Sequence, residues 1–304
     1  MWDKILDIKK CHLQADPSNE IRLEIKKYAQ ANGLSFFNPR NHQGLLRTLM
    51  IRTSSTKEIM VLIQFYDDDE KKRNGLLNHL QNTFPQIDSL LYVINRKGND
   101  TIYDQEVHCH HGKDFIYEQM EGLKFKITAK SFYQTNSQQA YELYKVVRNL
   151  ADLNNKELVY DLYTGIGAIA QFIAAEAKKV VGIEAIPEAI LAAETNAREN
   201  SIDNLSFFSG DMKNLLNYEF VALNGKPYVI ITDPPRDGMH KDVVAQLLKI
   251  APEKIVYVSC NVATQARDIN LLSEKYHVVR SQAVDMFPHT HHIENVTLLQ
   301  KRKS

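Results

Sequence analysis

The stretch Tyr228-Val229-Ile230-Ile231-Thr232-Asp233-Pro234-Pro235-Arg236-Asp237-Gly238 decides how the chain is read, together with Lys254-Ile255-Val256-Tyr257-Val258-Ser259-Cys260-Asn261, which follows after a helical interval. Each is a short apolar run that stops at polar residues, the pattern of a strand buried on both faces of a parallel sheet. Two such strands ending side by side place an acid, an arginine and a cysteine at one rim. Ligands of open parallel sheets collect in the crevice at the carboxyl ends of the strands, so chemistry is expected where Asp233 and Cys260 emerge.

The same alternation extends to both sides of this stretch. Strands are expected at Leu158 to Leu162, Val180 to Glu184, Leu205 to Phe208, Tyr228 to Thr232, Lys254 to Val258, around Val278 to Val284, and at Asn295 to Leu299. Helices are expected at Gly167 to Ala177, Pro187 to Glu199, Val243 to Ile250 and Val262 to Glu274. A regular β-α alternation predicts an α/β fold with a doubly wound, mostly parallel seven-stranded sheet and right-handed crossovers. An amphipathic helix (Ala140, Leu143, Tyr144, Val147, Leu150) precedes it, with Thr135 or Asn136 suited to cap its start.

Residues 1–125 lack that alternation. Glu20 to Asn32 reads as an amphipathic helix, Leu45 to Ser54 and Ile59 to Tyr66 as strands joined by a polar turn, Leu76, Leu77 and Leu80 as one face of a second helix, and Ser89 to Asn95 as a further strand. The chain is therefore expected to hold a small α+β domain over 1–125 and an α/β domain over 126–304. Within the first, Val107-His108-Cys109-His110-His111 offers metal-ligand residue types, but no second cluster with ligand spacing accompanies it. Gly112 with Lys113 reads as an exposed turn between strands, and no metal site is expected.

Composition excludes more than it selects. Lys and Arg number 37 against 37 Asp and Glu, so any nucleic-acid footprint is local and not a property of the whole charge. The three cysteines, Cys11, Cys109 and Cys260, lie far apart, give no disulfide framework and point to a reducing, cytoplasmic setting. No apolar run approaches the roughly 20 residues that span a bilayer, so no membrane partner is expected. A monomer is expected.

Three features at successive strand ends point to a nucleoside cofactor. Asp161-Leu162-Tyr163-Thr164-Gly165-Ile166-Gly167 is a glycine turn opening a helix, where the missing Cβ lets backbone approach a ligand. Glu184 ends the next strand, in the position where an acid receives ribose hydroxyls. Asp211, in Ser209-Gly210-Asp211, follows the third and can accept from an adenine amino group. The turn lacks the third glycine of the dinucleotide fingerprint, which argues against a pyrophosphate cofactor and for S-adenosylmethionine.

Five motifs in order, Phe132-Tyr133-Gln134-Thr135-Asn136, Asp161 to Gly167, Asp233-Pro234-Pro235-Arg236, Val258-Ser259-Cys260-Asn261 and Phe287-Pro288-His289-Thr290-His291-His292-Ile293-Glu294, closely resemble the RNA uracil-C5 methyltransferases. The resemblance implies a Rossmann-like S-adenosylmethionine-dependent methyltransferase domain, with residues 1–125 similar to the family's central RNA-binding domain. It implies that Gln134, Tyr163, Gly165, Glu184, Asp211 and Asp233 contact the cofactor, that Cys260 is the nucleophile and that Glu294 is the general base. Arg236, Asn261 and His292 are expected to hold substrate or support the loops. The family's glycine loop often has Asn where this chain has Ala168, which removes one polar cofactor contact. The family's N-terminal TRAM barrel is not seen in the sequence, as expected of a truncated or naturally short member. Cys11 resembles the last cysteine of the family's iron-sulfur set, but without its three partners no cluster is expected.

The residue chemistry fits independently. C5 of uracil is a poor nucleophile until a thiolate adds at C6, and cysteine is the side chain that can both add and leave. The C5 proton must then be removed by a base such as Glu294. Ribosomal RNA is the expected substrate from the resemblance, with transfer RNA as the alternative. Two other readings compete: an amino-directed methyltransferase, in which an aromatic residue would stand where Arg236 does and Cys260 would be idle, and a catalytically weak RNA-binding module of the same fold.

Overall fold

The computed structural model describes residues 6–303, and the chain divides into two compact units. One runs to Gln119 and includes Lys126–Lys130; the other comprises Met120–Phe125 and Ser131 onward. The boundary expected after residue 125 falls inside a strand of a hairpin, around which the two units interleave in sequence.

In the first unit the elements run α1 (Ser18–Ala31), β1 (Leu46–Thr53), β2 (Ile59–Phe65), α2 (Glu70–Thr83), β3 (Ser89–Ile94) and β4 (His108–Gly112), followed by the hairpin strands β5 (Phe115–Met120) and β6 (Leu123–Thr128). Strands β1 to β4 form one sheet in sequence order, with β2 and β3 parallel and the outer pairs antiparallel. Ile21, Ile25 and Ala29 of α1 and Leu76, Leu77 and Leu80 of α2 bury against Val61, Ile63 and Leu90. The Cys109-His110-His111 segment lies in β4, an edge strand that reaches the expected glycine turn at Gly112. Among the described residues no three His, Cys, Asp or Glu side chains gather as a metal site.

The second unit holds α3 (Ser137–Ala151), β7 (Leu158–Leu162), α4 (Ala168–Ala174), β8 (Lys179–Glu184), α5 (Pro187–Glu199), β9 (Leu205–Ser209), α6 (Met212–Leu215), α7 (Tyr218–Asn224), β10 (Val229–Thr232), α8 (Lys241–Ile250), β11 (Lys254–Ser259), α9 (Val262–Leu272), β12 (Tyr276–Val284) and β13 (Glu294–Lys301). Asn136 caps α3 by accepting the Gln139 N–H at 3.2 Å. The short helices α6 and α7 were not anticipated: four and seven residues are too few to show a 3.6-residue period, and each starts instead at a polar cap, Asp211 or Asn217.

The seven strands order as β12-β13-β11-β10-β7-β8-β9. Six run in one direction, whereas β13 runs against them between β11 and β12. That inversion positions the site, because an antiparallel strand begins where its parallel neighbours end. Ser259 pairs with Asn295 and Thr232 with Tyr257, so Asp233, Cys260 and Glu294 come to one rim. Central residues such as Val181, Ile230, Ile255 and Tyr257 are fully buried. Burying each aliphatic side chain of this kind contributes about 1.5–3 kcal/mol, so the rim stands on a rigid base.

Candidate active site

The cofactor half of the rim begins at the turn after β7, which enters left-handed backbone at Tyr163 (φ 63°), Gly165 (55°) and Gly167 (77°). A Cβ on Gly167 would lie 2.9 Å from the Phe207 ring, so this glycine is required for packing. A Cβ on Gly165 would meet nothing within 4 Å and would project into open space, as a backbone that must admit a ligand requires. Beneath the turn, Asp161 is buried and accepts the Thr164 hydroxyl at 2.5 Å; burial pushes its carboxyl up to about 7.

Glu184 ends β8 and ties the turn to it. Its Oε2 accepts the Gly165 N–H at 3.2 Å, and its Oε1 accepts the Ala185 and Ile186 N–H groups at 2.7 and 3.1 Å. A carboxylate offers about four acceptor positions, so capacity for a hydroxyl remains. Asp211 caps α6 through the Lys213 N–H at 3.1 Å, and this bond with the Lys213 ammonium at 3.2 Å holds its carboxyl below the ordinary value. Tyr163 is half-buried and lies within the fields of Asp211 and Glu184; burial, chiefly, pushes its phenol up to about 12. Gln134 makes no hydrogen bond or ion pair among the described residues that would tie it to these groups. Its segment is anchored nearby by Asn136, which donates from Nδ2 to the Met286 carbonyl at 2.9 Å.

In the chemical half, a cleft of about 370 Å3 is lined by Arg236, Cys260, Met286, Phe287, His292, Ile293 and Glu294. Cys260 is exposed immediately after β11. Partial burial of its sulfur, then the negative charges of Glu294 and Asp233, raise the thiol, while Arg236 opposes them. Glu294 is 9% exposed, its Oε2 has no hydrogen-bond partner, and burial pushes its carboxyl up to about 7. Burial and the neighbouring Glu294 and Asp161 raise the Asp233 carboxyl well above the carboxylate range. Two acids of raised proton affinity, Glu294 and Asp233, beside a cysteine make this cleft the candidate reaction site.

The loop after Asp233 is held by a network that joins Arg236, Asn261 and His292 to residues the sequence reading missed, among them Thr264, Gln265, Arg267 and Asp268. Arg236 presents its carbonyl to Asn261 Nδ2 and Thr264 Oγ1, each at 3.1 Å, and its guanidinium meets His292 Nδ1 at 3.2 Å. Buried Asp268 accepts the Met239 N–H at 2.8 Å and the Tyr257 hydroxyl at 2.7 Å, and Arg267 donates to the Asp237 carbonyl at 2.8 Å. Gly238 (φ 78°) passes so near that a Cβ would stand 2.6 Å from the Asp268 carboxylate. Gln265 and Asn295 exchange bonds that pin the start of β13 beside Glu294. The overlooked signal is the polar row Thr264, Gln265 and Asp268, which continues from Asn261 along one face of the helix that begins right after Cys260.

A doubly wound sheet with this strand order, a glycine turn and acids at successive strand ends defines an S-adenosylmethionine-dependent methyltransferase fold. Residues 42–302 match the family described as tRNA (uracil-5-)-methyltransferase, and the chain belongs to that family. A Porphyromonas gingivalis protein described as an uncharacterized RNA methyltransferase is 57% identical over 303 residues, covering 98% of this chain and 65% of that protein. A Staphylococcus epidermidis protein of the same description is 37% identical over 300 residues, covering 98% and 66%. The chain spans about two thirds of the length of these curated relatives. The crystal structure of Pyrococcus abyssi tRNA (uracil-54, C5)-methyltransferase in complex with S-adenosyl-L-homocysteine superposes with a TM-score of 0.80 at 32% identity, covering 98% of this chain and 71% of that one. Among the described residues no helix is long and apolar enough to cross a membrane.

Proposed function

We propose that this chain methylates C5 of a uridine in RNA, using S-adenosylmethionine and a transient bond between Cys260 and C6 of the base. The observation that carries the reading is the shared cleft: an exposed cysteine and a buried, partly unpartnered carboxyl line one cavity at the rim of a methyltransferase sheet. Gln134, Tyr163, Gly165, Glu184, Asp211 and Asp233 would hold the cofactor, and the open space before Gly165 fits this role. When bound, S-adenosylmethionine supplies an electrophilic methyl group.

The remaining work falls to the protein. Cys260 adds to C6 as a thiolate, helped by the Arg236 charge, and C5 becomes nucleophilic. Glu294 then takes the C5 proton, which lets the sulfur leave. A base whose protonation balances near neutrality is matched to that task. The target base must leave its stack to reach Cys260, because C5 and C6 are attacked from their faces. The region 1–125 is proposed to hold RNA; Arg96 and Lys97 line a cleft of about 530 Å3 there, shared with Asp68, with Lys97 paired to Asp104, and phosphate contacts are proposed for Arg96. Ribosomal RNA, expected from the motifs, and transfer RNA, named for the family and for the Pyrococcus relative, are the two candidate substrates.

The test uses ribosomal and transfer RNA with 5-fluorouridine in place of uridine, because fluorine cannot leave as a cation. A protein-RNA adduct that survives denaturation, requires S-adenosylmethionine and vanishes in Cys260→Ala is expected with the true substrate. Glu294→Gln should trap an adduct even on ordinary uridine. An active enzyme that forms no adduct, or keeps full turnover as Cys260→Ala, overturns the mechanism.

A further inference from the structure

We infer that His292 reads the carbonyl oxygen at position 4 of the target pyrimidine by donating its Nε2–H to it, with Arg236 fixing the imidazole in the required tautomer. The inference rests on the uridine reading above and assigns to one residue the choice between uracil and cytosine.

The geometry begins with Arg236. Its Nη2 lies 3.2 Å from His292 Nδ1, and a guanidinium has donors only. Nδ1 must therefore offer its lone pair, and in the neutral ring the proton sits on Nε2. Among the described residues Nε2 has no hydrogen-bond partner, while the residue lines the cleft that holds Cys260 and Glu294. The ring is held from several directions. His291 packs against it with centroids 4.0 Å apart, and the Phe287 ring approaches at 6.5 Å and 85°. The His292 N–H donates to Thr290 Oγ1 at 3.2 Å, and that hydroxyl donates to the Phe287 carbonyl at 2.7 Å. Arg236 is fixed in turn through its carbonyl by Asn261 and Thr264. The result is an unpartnered Nε2 on a residue that shares the cleft with the proposed nucleophile.

A donor there can distinguish the two pyrimidines. Uracil carries an accepting oxygen at position 4 and cytosine a donating amino group, so cytosine would leave two donors facing each other. The same bond strengthens during reaction. As the sulfur pair forms the S–C6 bond, the C5–C6 π pair moves to C5 and, by conjugation, to the oxygen at position 4. When Glu294 later takes the proton from C5, that C–H pair restores the C5–C6 double bond and the sulfur leaves with its own pair. A donor aimed where negative charge develops acts as an oxyanion hole does.

Glutamine and asparagine separate this role from a structural one, since the glutamine amide nitrogen stands near the Nε2 position and that of asparagine near Nδ1. The readouts are kinetics and binding with paired transcripts, differing only in uridine or cytidine at the position the enzyme methylates. His292→Asn should lower kcat about 100-fold with KM changed less than about threefold, and His292→Gln should restore most of the loss. His292→Asn should also lose the binding preference for the uridine transcript, and His292→Gln should keep it. Equal behaviour of the two variants, or lost activity with an unchanged preference, overturns the inference. If the unaltered chain methylates no RNA, the uridine reading has failed, and nitrogen NMR of the full chain still decides this one. His292 should show a protonated Nε2 and bare Nδ1, and uridine monophosphate should shift the Nε2 signal while cytidine monophosphate does not. A protonated Nδ1, or no difference between the nucleotides, rejects it.

Discussion

At the ends of β8 and β9 the carboxylates accept backbone N–H groups, whereas at the end of β10 and the start of β13 two carboxyls are buried beside each other. Glu184 accepts three backbone N–H groups and Asp211 caps a helix, while Glu294 leaves one oxygen unpartnered and Asp233 is held among other acids. The contrast matches the two tasks proposed for Glu184 and Glu294. Groups that bind a cofactor gain from being fixed, because fixed acceptors lose little entropy when the ligand arrives. Groups that move protons need a charge state poised to change, and burial without full pairing supplies it.

The widest separation should come from removing a side chain on each side. Cys260→Ala, exposed at a strand end, should keep the fold and lower methyl transfer by about 10^4-fold or more, as loss of a nucleophile does. Single-turnover assays with labelled cofactor and thermal melts check both halves; residual activity within tenfold of the unaltered chain would place Cys260 outside the chemistry. Glu184→Ala should weaken cofactor binding by about 100-fold, since two or more charge-assisted bonds are lost. Calorimetry with S-adenosylhomocysteine measures this, and unchanged affinity would remove Glu184 from the cofactor site.

Acidity sharpens the contrast. The Glu294 carboxyl is raised from its ordinary value to about 7, so between about pH 4.5 and 7 the folded chain keeps a proton that the unfolded chain releases. Its contribution to stability is present below that window and is lost as pH rises through about 7. Glu294→Gln should therefore match the unaltered chain at pH 4.5 and exceed it at pH 8 by about 3 kcal/mol in urea unfolding. Turnover of the unaltered enzyme should rise with pH through the same region, because only the ionised base accepts the C5 proton. A stability difference that does not change with pH would sever this link.

The smallest effect concerns the glycine turn. Gly165→Ala places a Cβ in open space, so unfolding should show only the left-handed backbone cost of about 1 kcal/mol. Cofactor affinity should fall further, because the methyl group would occupy the approach to the backbone. Equal losses in stability and in affinity would mean that the turn is structural only.

Much of this was legible in the chain. Short apolar runs gave the central strands β7, β8, β10 and β11 nearly to their ends, because burial on both faces leaves few polar residues inside the run. The same logic brought Asp233 and Cys260 to one rim, since strand ends are where polar residues resume. The motifs after Phe132 and before Glu294 pointed to the methyltransferase family. Legibility failed where the signal was short or shared among distant residues. The helices α6 and α7 are too brief to show a period, and the Asp268 and Gln265 networks join residues as much as 30 positions apart.

The sequence by itself determined the class of sheet and the glycine turn, and singled out Cys260 and Glu294 as the side chains proposed to react, because these depend on local periodicity and on residue chemistry. Only the tertiary structure decided what those side chains are in place. The antiparallel insertion of β13 between β11 and β12 sets Glu294 opposite the end of β11, and burial there, which no neighbour in sequence reports, moves its proton affinity toward neutrality. The approach of the Arg236 guanidinium to His292 Nδ1 across 56 residues is likewise a product of the fold. Both follow from one physical reason: hydrogen bonds and desolvation act through space over a few ångströms, and the chain order does not record which residues the fold brings within that reach.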